Sequence, residues 1–305
     1  HTGLQDYMVS FQLNPNIADQ VEASIEDARS AHMLADEFLS DYDRRLGLGE
    51  RAGQTGPCIV FKIAGGHESA RQITIELNSN GIGTNNTVVY TVAQEVQLVL
   101  DAFEGKATAS VAGGSVVRTY ETNMGGRFVS HLREVEAENL FVALAERSGE
   151  AEAHALLDEL STALAVDAPP GPVAERAAGL CSFKNLKALD HDVVLKVAES
   201  VGKSPDVIRE LEDDLKKAGT LVARRVFWVF FAPENRPKWV RYLSDKNGLS
   251  TKQAEWVLDS MDVLPASKRV PDDTLDVLGE ANMCHTEFPN HQRAVQLLSE
   301  DLDFD

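Results

Sequence analysis

The residue pattern predicts an α+β chain: one long N-terminal helix and a small β-sheet with a packed helix, followed by an all-α array of helix pairs. Three observations predict it. Apolar residues recur at helical spacing through residues 14–47, β-branched runs cluster between residues 58 and 120, and beyond residue 130 the spacing is helical again. With 305 residues, 43% of them hydrophobic and 25% charged, the chain has the composition of an ordinary globular protein of about two domains.

The first helix is expected to start at Asn14 as N-cap with Pro15 in its first turn, and to end at Gly47. Ile17, Val21, Ile25, Ala28, Ala35, Phe38, Leu39, Tyr42 and Leu46 form its apolar stripe, and Asp19, Glu22, Glu26, Asp27 and Asp36 its solvated face. Cys58–Ile63 and Ile73–Leu77 read as strands, Asn78–Asn86 as a turn-rich loop and Thr87–Tyr90 as a further strand. Thr91 and Gln94 form a capping box for a helix that buries Val92, Val96, Val99, Leu100 and Phe103. Ala107–Tyr120 returns to strand, broken at Gly113-Gly114. The run Val166–Val173 holds three prolines and a glycine and is read as a domain boundary. The expected organisation is therefore an α+β domain over 1–165, a linker at 166–173, a helical domain over 174–298 and an acidic tail at 299–305.

Within the helical part, residues 193–211 and 239–257 repeat one pattern. It is an apolar helix, a glycine (Gly202, Gly248), a serine N-cap (Ser204, Ser250) and a second apolar helix. Carried on to residues 215 and 261, each copy resembles the N-terminal helical pair of HU-type bacterial DNA-binding proteins. That family's β-arm has no convincing counterpart here, so the resemblance implies a helical packing unit. Residues 73–115, with Ile73–Leu77, Thr91–Val96 and Ala107–Ser115, resemble a small β-α-β module of phage tail and other virion proteins, which implies a role in assembly.

Charge separates the remaining possibilities. The net charge of −19, from 48 acidic against 29 basic residues, excludes nucleic-acid binding through the overall field. Locally the balance reverses. Lys216, Lys217, Arg224, Arg225, Arg236, Lys238, Arg241 and Lys246 face only Glu234 and Asp245, and Phe227, Trp228, Phe230, Phe231, Trp239 and Tyr242 interleave with them. Cations for phosphates and π-faces for bases are the recipe for single-strand binding. The plainer reading makes the aromatics core and pairs the cations with acidic neighbours or with another subunit. The run Val226–Phe231 fits helix or strand equally. Three widely spaced cysteines, Cys58, Cys181 and Cys284, point to a reducing compartment, in the cytoplasm or within a virus particle. No apolar run is long enough for a membrane helix.

Catalytic motifs are missing: there is no phosphate-binding glycine loop, dinucleotide fingerprint or nucleophile elbow. Cys284, His285 and His291 lack zinc-ligand spacing, and no metal or cofactor is expected. The expected function is a non-enzymatic assembly protein that forms homo-oligomeric contacts, in the setting of a virus particle. Two other readings stand beside it. One is nucleic-acid binding through residues 216–246, with Lys216, Lys217, Arg224, Arg225, Arg236, Lys238, Trp239, Arg241 and Tyr242 as the site. The other is an enzyme whose site is assembled from scattered residues.

Overall fold

A computed structural model describes residues 8–49, 57–266, 284–287, 291–298 and 300, and the chain is of the α+β class. Five short parallel strands are laid down side by side in chain order. Strand β1 (Met8–Gln12) leads through a 3₁₀ turn (Pro15–Ile17) into α1 (Val21–Arg45); β2 (Ile59–Ala64), α2 (Ser69–Ser79), β3 (Gly83–Val89), α3 (Val92–Val111) and β4 (Thr119–Asn123) follow. A long helical excursion intervenes: α4 (Gly125–Ser148), α5 (Glu150–Leu164), α6 (Val173–Leu180), α7 (Asp192–Ser200) and α8 (Pro205–Phe231). The chain then adds α9 (Arg236–Asn247), α10 (Thr251–Asp259), β5 (Met261–Val263), β6 (Cys284–Glu287) and α11 (His291–Leu298). The sheet order is β5-β4-β3-β2-β1-β6, with only β6 antiparallel to its neighbour.

Parallel neighbours need a crossover, and crossovers of one hand that always step the same way place their helices on one face. Phe61 and Ile63 accordingly pack against Ile25 and Ala28 of α1, Ile73 and Leu77 of α2, and Leu98 of α3. Met261 and Val263 of β5 meet Phe103 of α3 and Val257 of α10 on the same side. Helix α3 crosses α2 at Gly105, where a Cβ would stand 2.4 Å from the Ile75 carbonyl oxygen, so only glycine permits the approach.

The contacts divide the chain into two units. Among the described residues, those up to 124 and from 220 onward form the sheet unit, and 125–219 form the helical unit. The helical unit has its own core, centred on Leu140, Phe141, Leu144, Leu157, Leu160 and Val197. Inside it Arg133 grips Glu212 with two hydrogen bonds, Nε–Oε2 at 2.9 Å and Nη2–Oε1 at 2.7 Å.

Several expectations are corrected. The proline run 166–173 is not a boundary between these units but a connection between α5 and α6. Val166 and Ala168 pack on the helical core, and Pro169 lies against Gly179. The predicted first helix is two pieces: Asn14 caps the 3₁₀ turn, and α1 begins at Val21. Its expected apolar stripe is buried only in the first half, and Phe38, Tyr42 and Leu46 are exposed. Residues 73–77 are helix, because Ala70, Ile73 and Leu77 fall on one helical face that β2 and α1 cover; five alternating residues fit both periods. The strand expected from Ala107 begins at Thr119, and α3 continues to Val111. The expected loop 78–86 holds the start of β3, where Thr84, Asn85 and Asn86 each find a side-chain partner. Residues 226–231 end α8 as helix. The Thr91–Gln94 capping box forms as expected, and both repeats are helix pairs turned by glycines at φ +86 (Gly202) and +69 (Gly248).

Candidate active site

The face of the sheet away from α1–α3 carries an uninterrupted polar row. Strand register aligns Gln12 with Lys62, Lys62 with Asn85, Asn85 with Tyr120 and Tyr120 with Asp262. Alternation along each strand puts all five on one face, since Val60, two residues before Lys62, clusters with Met8, Tyr120 and Leu264, apart from the helix-side core. Asn85 is fully buried and fixed from both sides. Its Nδ2 donates to Ser10 Oγ at 3.1 Å, and its Oδ1 accepts from Thr122 Oγ1 at 2.9 Å. Gln12 Nε2 donates to the carbonyls of Leu13 and Lys62. Gln12 and Lys62 are half-buried, whereas Tyr120 and Asp262 are enclosed. Asp262 has a structural duty, because its Oδ1 accepts the Gln292 amide at 2.9 Å in the first turn of α11. Towards the carboxyl ends of the strands, Thr87 pairs in register with Ala64, and its hydroxyl reaches Met124 Sδ.

The helix-side face beneath β3 and β4 is also polar but closed. Thr119 Oγ1 donates to Asn78 Oδ1, Thr74 Oγ1 to Asn86 Oδ1, and Asn86 Nδ2 to Glu121 Oε1 at 2.7 Å. Lys106 donates to the Val117 carbonyl and to Ser260 Oγ. Burial holds Lys106 well below its usual pKa; Arg118 adds to this and Glu121 opposes it. Burial pushes Glu121 well above the carboxylate range, with Glu95 and Asp101 adding to it against the Asn86 hydrogen bond and Lys106. Burial pushes Glu95 up to about 8, with Asn123 pulling the other way. Neither Glu95 oxygen has a well-formed hydrogen bond among the described residues.

The predicted basic–aromatic residues are divided between the two units. Lys216 and Lys217, on the helical-unit part of α8, pair with Asp213 at 3.1 Å and Asp214 at 3.2 Å. In the sheet unit Arg236 pairs with Asp259 at 2.8 Å, Lys238 donates to Asn235 Oδ1, and Arg225 lies 4.6 Å over the Trp228 ring. Arg224 is half-buried and Arg241 exposed. Phe230 is core, and half-buried Trp239 stacks on it with centroids 4.5 Å apart. Only Trp228 and Tyr242 of the six aromatics are exposed. With Val229, Asn235, Lys238 and Trp239 they line a shallow cavity of about 350 Å³.

The side chains of Cys284, His285 and His291, and the acidic tail apart from Glu300, lie outside the described residues. Among the described residues no three metal-ligating side chains gather, and no helix is long and apolar enough to cross a membrane. In the sequence Lys62 is one polar position in a β-branched run, and the signal for the row is a polar residue at the matching alternate position of each strand, with a lysine on the inner strand β2. No protein-family model matches the chain, and no curated protein sequence matches it.

Proposed function

We propose that the chain is an enzyme whose Lys62 amine attacks the carbonyl carbon of a polar, hydroxyl-bearing substrate. The observation that carries this reading is the register row Gln12–Lys62–Asn85–Tyr120–Asp262 on the face that the crossover helices leave. Inner strands of a parallel sheet ordinarily read as apolar on both faces, and an aliphatic residue at position 62 would serve packing better than an amine. In closed βα barrels and open parallel sheets alike, ligands sit at the carboxyl ends of the strands, and Lys62 lies in the second half of β2.

The chemistry follows from the residue types. A neutral lysine amine adds to a carbonyl, the carbinolamine loses water, and the protonated imine accepts the electron pair of an adjacent C–H or C–C bond as that bond breaks. Asn85, held by Ser10 and Thr122, keeps β1, β3 and β4 in fixed register around the lysine. The Gln12 amide, in register with Lys62, and the Thr87 hydroxyl, in register with Ala64 two residues further along, are offered to substrate hydroxyls and the departing water.

The test is reductive trapping. The full chain is incubated with dihydroxyacetone, pyruvate or pyridoxal and cyanoborohydride, and the modified lysines are mapped by mass spectrometry. One carbonyl class labelling Lys62 at least about tenfold faster than surface lysines, with the adduct lost in Lys62→Met, is the expected result. Uniform labelling of all lysines, unchanged in Lys62→Met, refutes the reading.

A second reading, single-strand binding, is favoured by exposed Trp228 and Tyr242 beside Lys238. It predicts salt-sensitive retention of an oligothymidylate that Trp228→Ala abolishes. Of the assembly reading, the charge complementarity is partly consumed by ion pairs within the chain.

A further inference from the structure

Strand β3 carries an extra residue near its carboxyl end. Asn86 bonds to Thr74 of α2, and Val89 packs with Ile73 and Leu98, so both face the crossover helices. Two residues lie between them, where strict alternation allows only an odd number, and the β3–β4 register shifts there. Thr87 and Val88 therefore both turn to the face of the polar row. Val88 has φ +58, a left-handed backbone that a β-branched residue adopts only under strain. Strain of this kind gathers at ligand sites, and bulges there re-aim a side chain.

Beside Val88 stands Gly66. Packing requires its neighbour Gly65 to be glycine, since a Cβ there would lie 2.6 Å from Val89 Cγ1 and 2.9 Å from Leu98 Cδ1. Packing does not require Gly66. A Cβ there would meet the Val88 carbonyl oxygen at 3.5 Å and Val88 Cγ1 at 3.9 Å, both ordinary contacts, and its φ lies outside the left-handed region. Exposure rises along this face of the chain: Val60 is buried, Lys62 and Ala64 are half-buried and Gly66 is exposed. The Lys62 site thus opens at the carboxyl end of β2, with Ala64 and Gly66 as floor and Thr87 and Val88 as one wall. Thr87 Oγ1 donates its proton to Met124 Sδ at 3.4 Å, which leaves its lone pairs for a substrate hydroxyl. About 13 Å of extended chain separates Lys62 from Gly66, and a lysine side chain spans about half of it. We infer that Gly66 and Val88 are the specificity-determining residues of the Lys62 site, and that they select a short, unbranched hydroxycarbonyl compound over a ring-bearing one. This rests on the Lys62 reading.

Reductive trapping on the full chain compares dihydroxyacetone with pyridoxal, each Lys62 rate being divided by that of the surface lysines with the same probe. In the unaltered chain the dihydroxyacetone ratio should exceed the pyridoxal ratio about tenfold or more. Val88→Ala should raise the pyridoxal ratio about tenfold and leave the dihydroxyacetone ratio within about twofold. Gly66→Leu should lower both ratios about tenfold, and Gly66→Ala, which meets no clash and keeps its circular dichroism, about threefold. Absence of label on Lys62 with either probe overturns the Lys62 reading and this inference with it. A labelled Lys62 that prefers pyridoxal in the unaltered chain, or whose ratios ignore Val88→Ala and Gly66→Ala, overturns this inference alone.

Discussion

Glu212 in the helical unit and Glu95 in the sheet unit are both withdrawn from solvent, at 1% and 0% exposure, yet they are handled in opposite ways. Burial alone would raise the Glu212 pKa. The Arg133 fork, the Leu189 amide and the nearby Lys216 charge overcome that and hold it below the ordinary value. Among the described residues no cation acts on Glu95, and burial holds it protonated near neutrality. Burial does not by itself set the charge of a carboxyl group; the donors that the fold brings to it do. The two units should therefore respond oppositely to pH. Glu212 binds fewer protons folded than unfolded, so its contribution is present above the ordinary carboxylate range and is lost as pH falls. Glu95 binds more protons folded, so stability falls as pH rises from about 4.5 towards 8 and then levels. All three tryptophans, Trp228, Trp239 and Trp256, belong to the sheet unit. Tryptophan emission thus follows that unit, and far-ultraviolet dichroism follows both.

The comparison is broken most severely by Arg133→Met, which strands the Glu212 carboxylate. A loss of about 3–5 kcal/mol is expected, read as a dichroism transition that moves much further than the tryptophan transition in urea. A loss below about 1 kcal/mol would mean that Glu212 is not buried as an ion. Glu95→Gln keeps the shape and removes the titration. It should flatten the decline of tryptophan-monitored stability between pH 5 and pH 8, an effect on the order of a few kcal/mol at the alkaline end; an unchanged slope would assign the decline to Glu121. Gly105→Ala drives a methyl into the Ile75 carbonyl and should cost about 1–3 kcal/mol in the sheet unit. The smallest effect sharpens the comparison: Thr91→Ala removes the α3 cap, whose helix carries Glu95, and should cost about 1 kcal/mol while leaving the pH slope as it was.

What was legible beforehand was local. The Thr91–Gln94 box, the glycine-turned helix pairs at Gly202 and Gly248, and the β-branched run into Ile63 each rest on residues within a few positions of one another. The errors were also local ambiguities. Ile73–Leu77 suits both periods, and the polar Thr84-Asn85-Asn86 looks like a loop until Asn78, Ser10 and Glu121 supply partners from elsewhere. The basic–aromatic segment looked like one feature because its residues are adjacent in sequence, yet contacts divide it between two units at residue 220.

By itself the amino-acid sequence determined the α+β class, the capped starts of α3 and α10, the glycine turns of the two helix pairs, and the net acidic charge, because capping, periodicity and charge act over one or two turns of chain. Only the tertiary structure decided that Gln12, Lys62, Asn85, Tyr120 and Asp262 stand in one row, and that Ile25 and Ala28 of α1 are buried while Phe38 and Tyr42 are left exposed. Strand register and helix coverage depend on contacts between residues tens to hundreds of positions apart. No local pattern encodes them, since a slip of a single residue would turn every member of that row to the opposite face.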